Sequence, residues 1–155
     1  MIDGTRALAV LPLMRTDLVG LAQCMAIDAD VFPYSSIPLG LQAGVHIWVA
    51  RADDSTRVLG FVAASARALS FYVHGLAVAS KDRRQGTGRA LLDTCVAGAR
   101  GYGLRRVVLH VGTGNQAAVA LYEAAGFVMK RQVIDFYRAG VYAERGAYEM
   151  VLLLA

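Results

Sequence analysis

The chain has 155 residues and a mass of 16.5 kDa, long enough for one domain, residues 1–155, with a real core. Fifty-six per cent apolar content against 18% charge excludes a disordered chain, and a net charge of +4 carried by scattered arginines gives no aromatic-interleaved basic face for nucleic acid. The start, MIDGTRALAVLPL, has an acid at position 3 and too short an apolar run for a signal peptide. The longest stretch free of Asp, Glu, Lys and Arg, Val31–Ala50, holds two prolines and two glycines, which argues against a membrane span. Cys24 and Cys95 both fall in helical patterns and read as buried thiols of a reducing cytoplasm.

Ala7–Leu13 reads as a first strand. Thr16 or Asp17 then caps a helix whose expected buried face is Leu18, Leu21, Ala22 and Met25. Val31–Leu41 reads as a loop with prolines and a short helical turn. His46–Arg51 and Val58–Ala66 are expected strands, joined as a hairpin through the polar turn Asp53-Asp54-Ser55-Thr56. Tyr72–Ala79 is the next strand and Gly86–Arg100 the long helix, ended at Gly101-Tyr102-Gly103. Arg106–Val111 is a strand, and Asn115–Ala125 a helix with Ala118, Leu121, Tyr122 and Ala125 inward. Phe127–Phe136 and Tyr148–Leu154 close the chain as a strand pair around the loop Tyr137–Ala147. This order predicts an α/β (α+β) fold, a mixed sheet flanked by helices. The apolar last strand fits pairing with a second subunit, and it fits a central buried strand equally.

The chain is organised around Arg83–Gly88, RRQGTG. An apolar strand breaks there into a charged turn, a glycine pair and a helix with the apolar stripe Leu91, Leu92, Cys95, Val96 and Ala99. The first turn of that helix offers no acidic or capping side chain. Its amides are therefore free for an anion, which the dipole favours and the glycines admit. Two nucleotide motifs are excluded. No Lys follows either glycine, as a P-loop requires, and GTGRAL lacks the third glycine and downstream acid of a dinucleotide fingerprint. Left at that, a glycine-rich turn with solvated arginines explains the motif as well.

Arg-x-x-Gly-x-Gly after an apolar strand resembles the pyrophosphate loop of the GNAT superfamily of acetyl-CoA-dependent N-acetyltransferases. A second block, LHVGTGNQAAVALYEAAGF, is similar to that superfamily's next strand and helix, with Asn115, Ala118, Leu121, Tyr122, Gly126 and Phe127 at the motif positions. Together the blocks cover roughly the C-terminal half. The resemblance implies the GNAT fold, a mostly antiparallel sheet of about seven strands with about four helices. It implies acetyl-CoA held by amides from Arg84 to Arg89 (Arg84, Gln85, Gly86, Thr87, Gly88, Arg89), with charge from Arg83 and Arg84. It also implies pantetheine pairing and an oxyanion donor at Leu76, Ala77 and Val78, and a cofactor contact at Asn115 beside that residue's helix-capping role.

Acetyl transfer from a thioester to an amine needs a proton acceptor for the amine, a donor for the oxyanion and help for the thiol leaving group. Tyr122 resembles the superfamily's acid; a core aromatic is the plain alternative. For the base, His110 and Tyr72 both stand as candidates. A strand histidine is more often structural, yet LHV stands where relatives carry a residue aimed at the acceptor, and an imidazole titrates in the right range. Tyr72 lies eleven residues before Arg83, where one class of protein N-terminal acetyltransferases places tyrosine; alone, at a pKa near 10, it is a poor base. His74 shares the Tyr72 strand face but has no family match, and His46 reads as a plain strand residue.

Val31-Phe32-Pro33-Tyr34-Ser35 is similar to the I/V-F-P-x-S stretch of N-terminal acetyltransferases of the ribosomal-protein type, and Phe136-Tyr137-Arg138 to the aromatic pair of their last hairpin. Phe32, Pro33, Tyr34, Phe136 and Tyr137 are thus the expected acceptor contacts; ordinary hairpin packing is the plain reading of the last pair. Gly114 where Ser usually precedes Asn, and Ser80-Lys81-Asp82 without the usual proline, depart from the pattern. The reading is a cytoplasmic N-acetyltransferase with acetyl-CoA as cofactor, no metal, and a protein or peptide α-amine as leading acceptor. A small amine, or a catalytically silent acetyl-CoA-binding domain, is the alternative.

Overall fold

The structure, a computed structural model, describes residues 8–32, 43–52, 56–137 and 146–155. The expected helical turn within 31–41, residues Asp53–Ser55 of the expected hairpin turn, the acceptor candidates Pro33 and Tyr34, and Arg138 lie outside the described residues.

Seven strands form one sheet in the order β1-β2-β3-β4-β5-β7-β6. They are β1 (Leu8–Pro12), β2 (Val45–Ala52), β3 (Val58–Arg67), β4 (Ser70–Val78), β5 (Arg106–Gly112), β6 (Val128–Val133) and β7 (Ala147–Leu153). Among the described residues three α-helices accompany them: α1 (Leu18–Val31), α2 (Thr87–Gly101) and α3 (Gln116–Ala124), with a 3-10 turn at Ser80–Asp82. The last strand is thus a central one, β7 lying between β5 and β6. No described helix is long and apolar enough to cross a membrane.

Every pairing is antiparallel except β4 with β5. That parallel ladder joins only Ser70–Tyr72 to Arg106–Val108, while β4 stays paired with β3 as far as Val78. Past Tyr72 the two strands separate. The β5-facing edge of Val73–Val78 therefore has no ladder partner among the described residues, and a cleft opens in the middle of the sheet. A register shift between Ala63 and Ala64 leaves His74 as the extra residue of β4, the kind of bulge that bends a strand and re-aims its side chains.

The sheet is buried on both faces. Leu91, Leu92, Cys95, Val96 and Ala99 of α2 pack against Val62, Phe71, Val107, Leu109 and Met150, so the stripe read from spacing is the one that faces the core. Fully burying each leucine is worth roughly 1.5–3 kcal/mol. Cys24 and Ile27 of α1 cover Ile47, Val49, Phe61, Ala63 and Ala77 on the other face. Both cysteines are free and buried, their thiols pushed up to about 12 by burial.

The expected face of α1 is corrected. Gly20, Cys24, Ile27 and Asp28 point inward, whereas Leu18 is 71% and Met25 49% exposed, Ala22 is exposed and Leu21 only partly packed. The segment is apolar on nearly every side, so apolar spacing leaves its rotation open. Polar contacts set it. Asp17 caps the helix by accepting from the Gly20 amide (2.7 Å) and pairs with Arg51 of β2 (2.8 Å). This draws Gly20 so close that a Cβ there would lie 2.6 Å from the Asp17 carboxylate.

Candidate active site

The RRQGTG segment begins at a buried anchor. Asp82 ends the 3-10 turn with its carboxylate 2.7 and 3.1 Å from the two terminal nitrogens of Arg57, tying the loop to the start of β3. Arg83 turns back and donates through Nε to the Val78 carbonyl (3.2 Å). Arg84 (φ +64°) and Gly86 (φ +81°) both take the left-handed conformation, and Gly86 starts α2 without any side-chain cap. A Cβ at Gly86 would meet nothing within 4 Å, so the backbone fronts open space there.

The first-turn amides of α2 carry the positive end of a dipole equivalent to roughly half a charge. An acetyl-CoA diphosphate fits this position on the donor set alone: free amides, two arginines outside the helix and no carboxylate in the first turn. The Arg89 guanidinium is occupied elsewhere, on Asp93 (2.9 Å) and the Ala124 carbonyl (3.2 Å), so Arg89 has only its amide to offer. Asp82→Ala is expected to lower stability, because a buried carboxylate and its two hydrogen bonds to the partly exposed Arg57 are lost, and to weaken coenzyme A binding with it. Thermal denaturation and calorimetry on the same variant check both.

Beside the cleft, one polar side chain after another lines the same sheet face. The Tyr72 hydroxyl lies 2.9 Å from His110 Nδ1; His110 Nε2 lies 3.3 Å from Glu149 Oε2; Arg131 donates to the same oxygen at 3.0 Å. Residues of β4, β5, β7 and β6 thus form a continuous row. On the other side His74 sets its ring against Tyr72 (centroids 5.1 Å apart) and meets the Ser65 hydroxyl at 2.7 Å. Phe136 stacks on His110 at 4.4 Å and 14°, and Tyr137 stands edge-on to Phe136.

Burial is the main cause that pulls the His110 pKa below its ordinary 6.5, with Glu149 opposing it. Burial likewise raises Tyr72 above 10. The hydrogen bond from Arg131, first among several causes, holds Glu149 below the usual carboxylate range. With Glu149 ionised, Nε2 of His110 carries the proton that faces it, and Nδ1 is left to accept from the Tyr72 hydroxyl.

The sequence offers Tyr72 and His110 as alternative bases and Phe136 as an acceptor contact; the structure sets both Tyr72 and Phe136 against His110. Sequence reasoning missed Glu149, Arg131, Ser65 and Arg67. Glu149 had a signal: a lone carboxylate inside the apolar run YEMVLLL, directly opposite His110 in the β5–β7 register.

Tyr122 packs against Phe127 in the α2-side core with 7% exposure, and its pKa is raised steeply, by burial first and then by Tyr137, the neighbour of Phe136. Its hydroxyl makes no hydrogen bond among the described residues. Asn115 caps α3, accepting from the Ala118 amide at 3.2 Å. Phe32 ends α1 and packs on the α1-side core, not on the His110 cluster. A cavity of about 580 Å³ bounded by Leu13, Leu21, Trp48 and Tyr102 lies at the C-terminal end of α2, away from both the loop and the cluster.

Residues 17–127 match the acetyltransferase (GNAT) family over more than half of the sequence. The chain belongs to that family. Human N-acetyltransferase 8 (Homo sapiens) is 35% identical over 92 residues, 56% of this chain and 40% of that protein, so the chain matches less than half of this relative's length. The fold superposes on the ribosomal-protein-S18-alanine N-acetyltransferase from Escherichia coli with a TM-score of 0.81, at 23% identity, over 96% of this chain and 95% of that one. Arabidopsis thaliana NAA60, solved with a bisubstrate analogue, gives 0.80 at 23% identity over 95% and 98%.

Glu149→Gln is expected to move the acid limb of the pH–rate profile downward. Glu149 raises the His110 pKa, so its removal leaves burial and Arg131 to lower that pKa further. Initial rates across pH 5–8 read the limb directly.

Proposed function

We propose that residues 1–155 act as a single catalytic domain that transfers an acetyl group from acetyl-CoA to a primary amine, the leading acceptor being a protein or peptide N-terminus. The observation that carries the reading is the 2.9 Å contact between Tyr72 and His110 at the opening between β4 and β5. The solved relatives that match almost the whole chain include an N-acetyltransferase for a ribosomal-protein alanine, and this supports the choice of acceptor.

When bound, acetyl-CoA supplies the activated thioester; the remaining work belongs to the chain. Amides of Thr87, Gly88 and Arg89 would hold the diphosphate, and the edge at Leu76–Val78, without a ladder partner among the described residues, would offer donors to the carbonyl oxygen. Both His110 nitrogens already have partners, so an incoming amine meets the Tyr72 oxygen first. Tyr72 takes the amine proton as its own passes to His110 Nδ1, and Glu149 stabilises the imidazolium. This relay spares Tyr72 from standing as a phenolate, which burial makes costly.

Tyr122 fits a narrower role than a full acid. Burial raises its pKa above that of a thiol, so Tyr122 would keep its proton and could offer a hydrogen bond to the departing sulfur.

The test is thiol release by the purified chain with acetyl-CoA, with a peptide library run beside free amino acids and polyamines. Peptides with hydrophobic first residues are expected to win. Polyamines winning would reassign the acceptor, and absence of release with any amine would make the chain a silent acetyl-CoA binder.

A further inference from the structure

Arg67 ends β3, and its Cζ lies 4.2 Å from the centroid of the Tyr72 ring, over the ring face. A two-residue turn brings it there. Arg67 pairs with Ser70 across Ala68–Leu69, and Ala68 accepts φ +50°, a conformation that costs a non-glycine residue about 1 kcal/mol or more. At the other end of the polar row stands Arg131. Between the two guanidiniums there is, among the described residues, one carboxylate, Glu149, already shared by Arg131 and His110. Among the described residues Arg67 has no acidic partner.

For a site that receives an ammonium group this is the wrong sign. Like charges at close range oppose binding, and Arg67 also lowers the proton affinity of Tyr72, His74 and His110. A cation beside the proton relay with no acidic partner among the described residues has a use if the acceptor brings the anion. The contact of the guanidinium with the Tyr72 ring face does not consume its N–H donors, and a planar anion is what their fork geometry matches.

We propose that Arg67 binds a carboxylate that the acceptor carries close to its reacting amine. The inference rests on the acetyl-transfer reading for the identity of the site, and it narrows the acceptor to two sources with one chemistry. One is a free α-amino acid. The other is a peptide with an acidic side chain at its second residue. A bound carboxylate offsets the Arg67 charge, which is the last of the influences that lower the His110 pKa, burial being the first.

Equilibrium titration of the full chain in the presence of coenzyme A tests this without turnover. The probes are leucine against leucinamide, and the amidated tetrapeptides Leu-Asp-Gly-Ser against Leu-Asn-Gly-Ser. One carboxylate member is expected to bind about tenfold or more tightly than its neutral partner, the worth of a charge-assisted hydrogen bond. In Arg67→Gln the difference is expected to vanish while coenzyme A affinity holds, and Arg67→Lys is expected to keep part of it. The pair that discriminates names the source. Equal binding within both pairs, failure of all four probes to bind, or a preference that survives in Arg67→Gln overturns the proposal. Absence of thiol release with every amine sinks the acetyl-transfer reading instead, and the titration still decides on Arg67.

Discussion

Replacing His110 by alanine is expected to lower kcat about 10²- to 10⁴-fold, the usual span for loss of a general base, while acetyl-CoA binding stays as it was. The separation follows from geometry. His110 contacts Tyr72, Glu149 and Phe136, and none of these belongs to the Arg83–Arg89 segment that starts α2. Tyr72→Phe is expected to lose a similar factor, because in a serial relay the proton stops at whichever member is missing. The double variant is then hardly worse than either single one, which a pair of independent bases would not show. The wild-type acid limb should lie below pH 6.5, since burial depresses the imidazole and the neutral form persists to lower pH. Steady-state thiol release gives kcat and KM, and calorimetry gives cofactor affinity. Wild-type turnover in both single variants would remove the base assignment.

How much of this was legible beforehand depended on the kind of signal. The RRQGTG strand-to-helix turn and the apolar stripe of α2 could be read because each is local: a left-handed Gly86, free first-turn amides and an i, i+3, i+4 pattern are fixed by neighbours in sequence. Tyr72 and His110 were named through family resemblance, and their contact depends on a parallel ladder between segments 38 residues apart. The face of α1 went wrong because its sequence is apolar all round and its rotation is fixed by Asp17 and Arg51, 34 positions apart. Glu149 and Arg67 were missed for a related reason. A charged residue on a strand looks like ordinary solvent-facing alternation until the register shows which partner stands opposite.

Phe71→Ala is expected to cost about 3–5 kcal/mol, a large share of the roughly 5–15 kcal/mol that a domain of this kind holds in reserve. Thermal denaturation should show a fall of roughly 10 °C. Phe71 is fully buried and meets the rings of His46, Trp48 and Tyr102 at centroid distances of 6.3, 6.2 and 6.0 Å. Its position adds a second cost. The β4–β5 ladder has three pairs, at Ser70, Phe71 and Tyr72, preceded by one bond from the Arg105 amide to the Leu69 carbonyl (3.3 Å), so β1–β4 and β5–β7–β6 meet through a short join and the helix laid across it. A cavity beneath the middle pair loosens the join that sets the distance from Tyr72 to His110. Turnover should therefore fall in Phe71→Ala even well below its melting temperature. Tyr72→Phe, one residue along and on the opposite face, should lose turnover with its melting temperature nearly unchanged. If Phe71→Ala melts lower yet turns over like the wild type in the cold, the ladder does not aim the relay, and the Tyr72–His110 contact is held by Phe136 and Glu149 from the other flank.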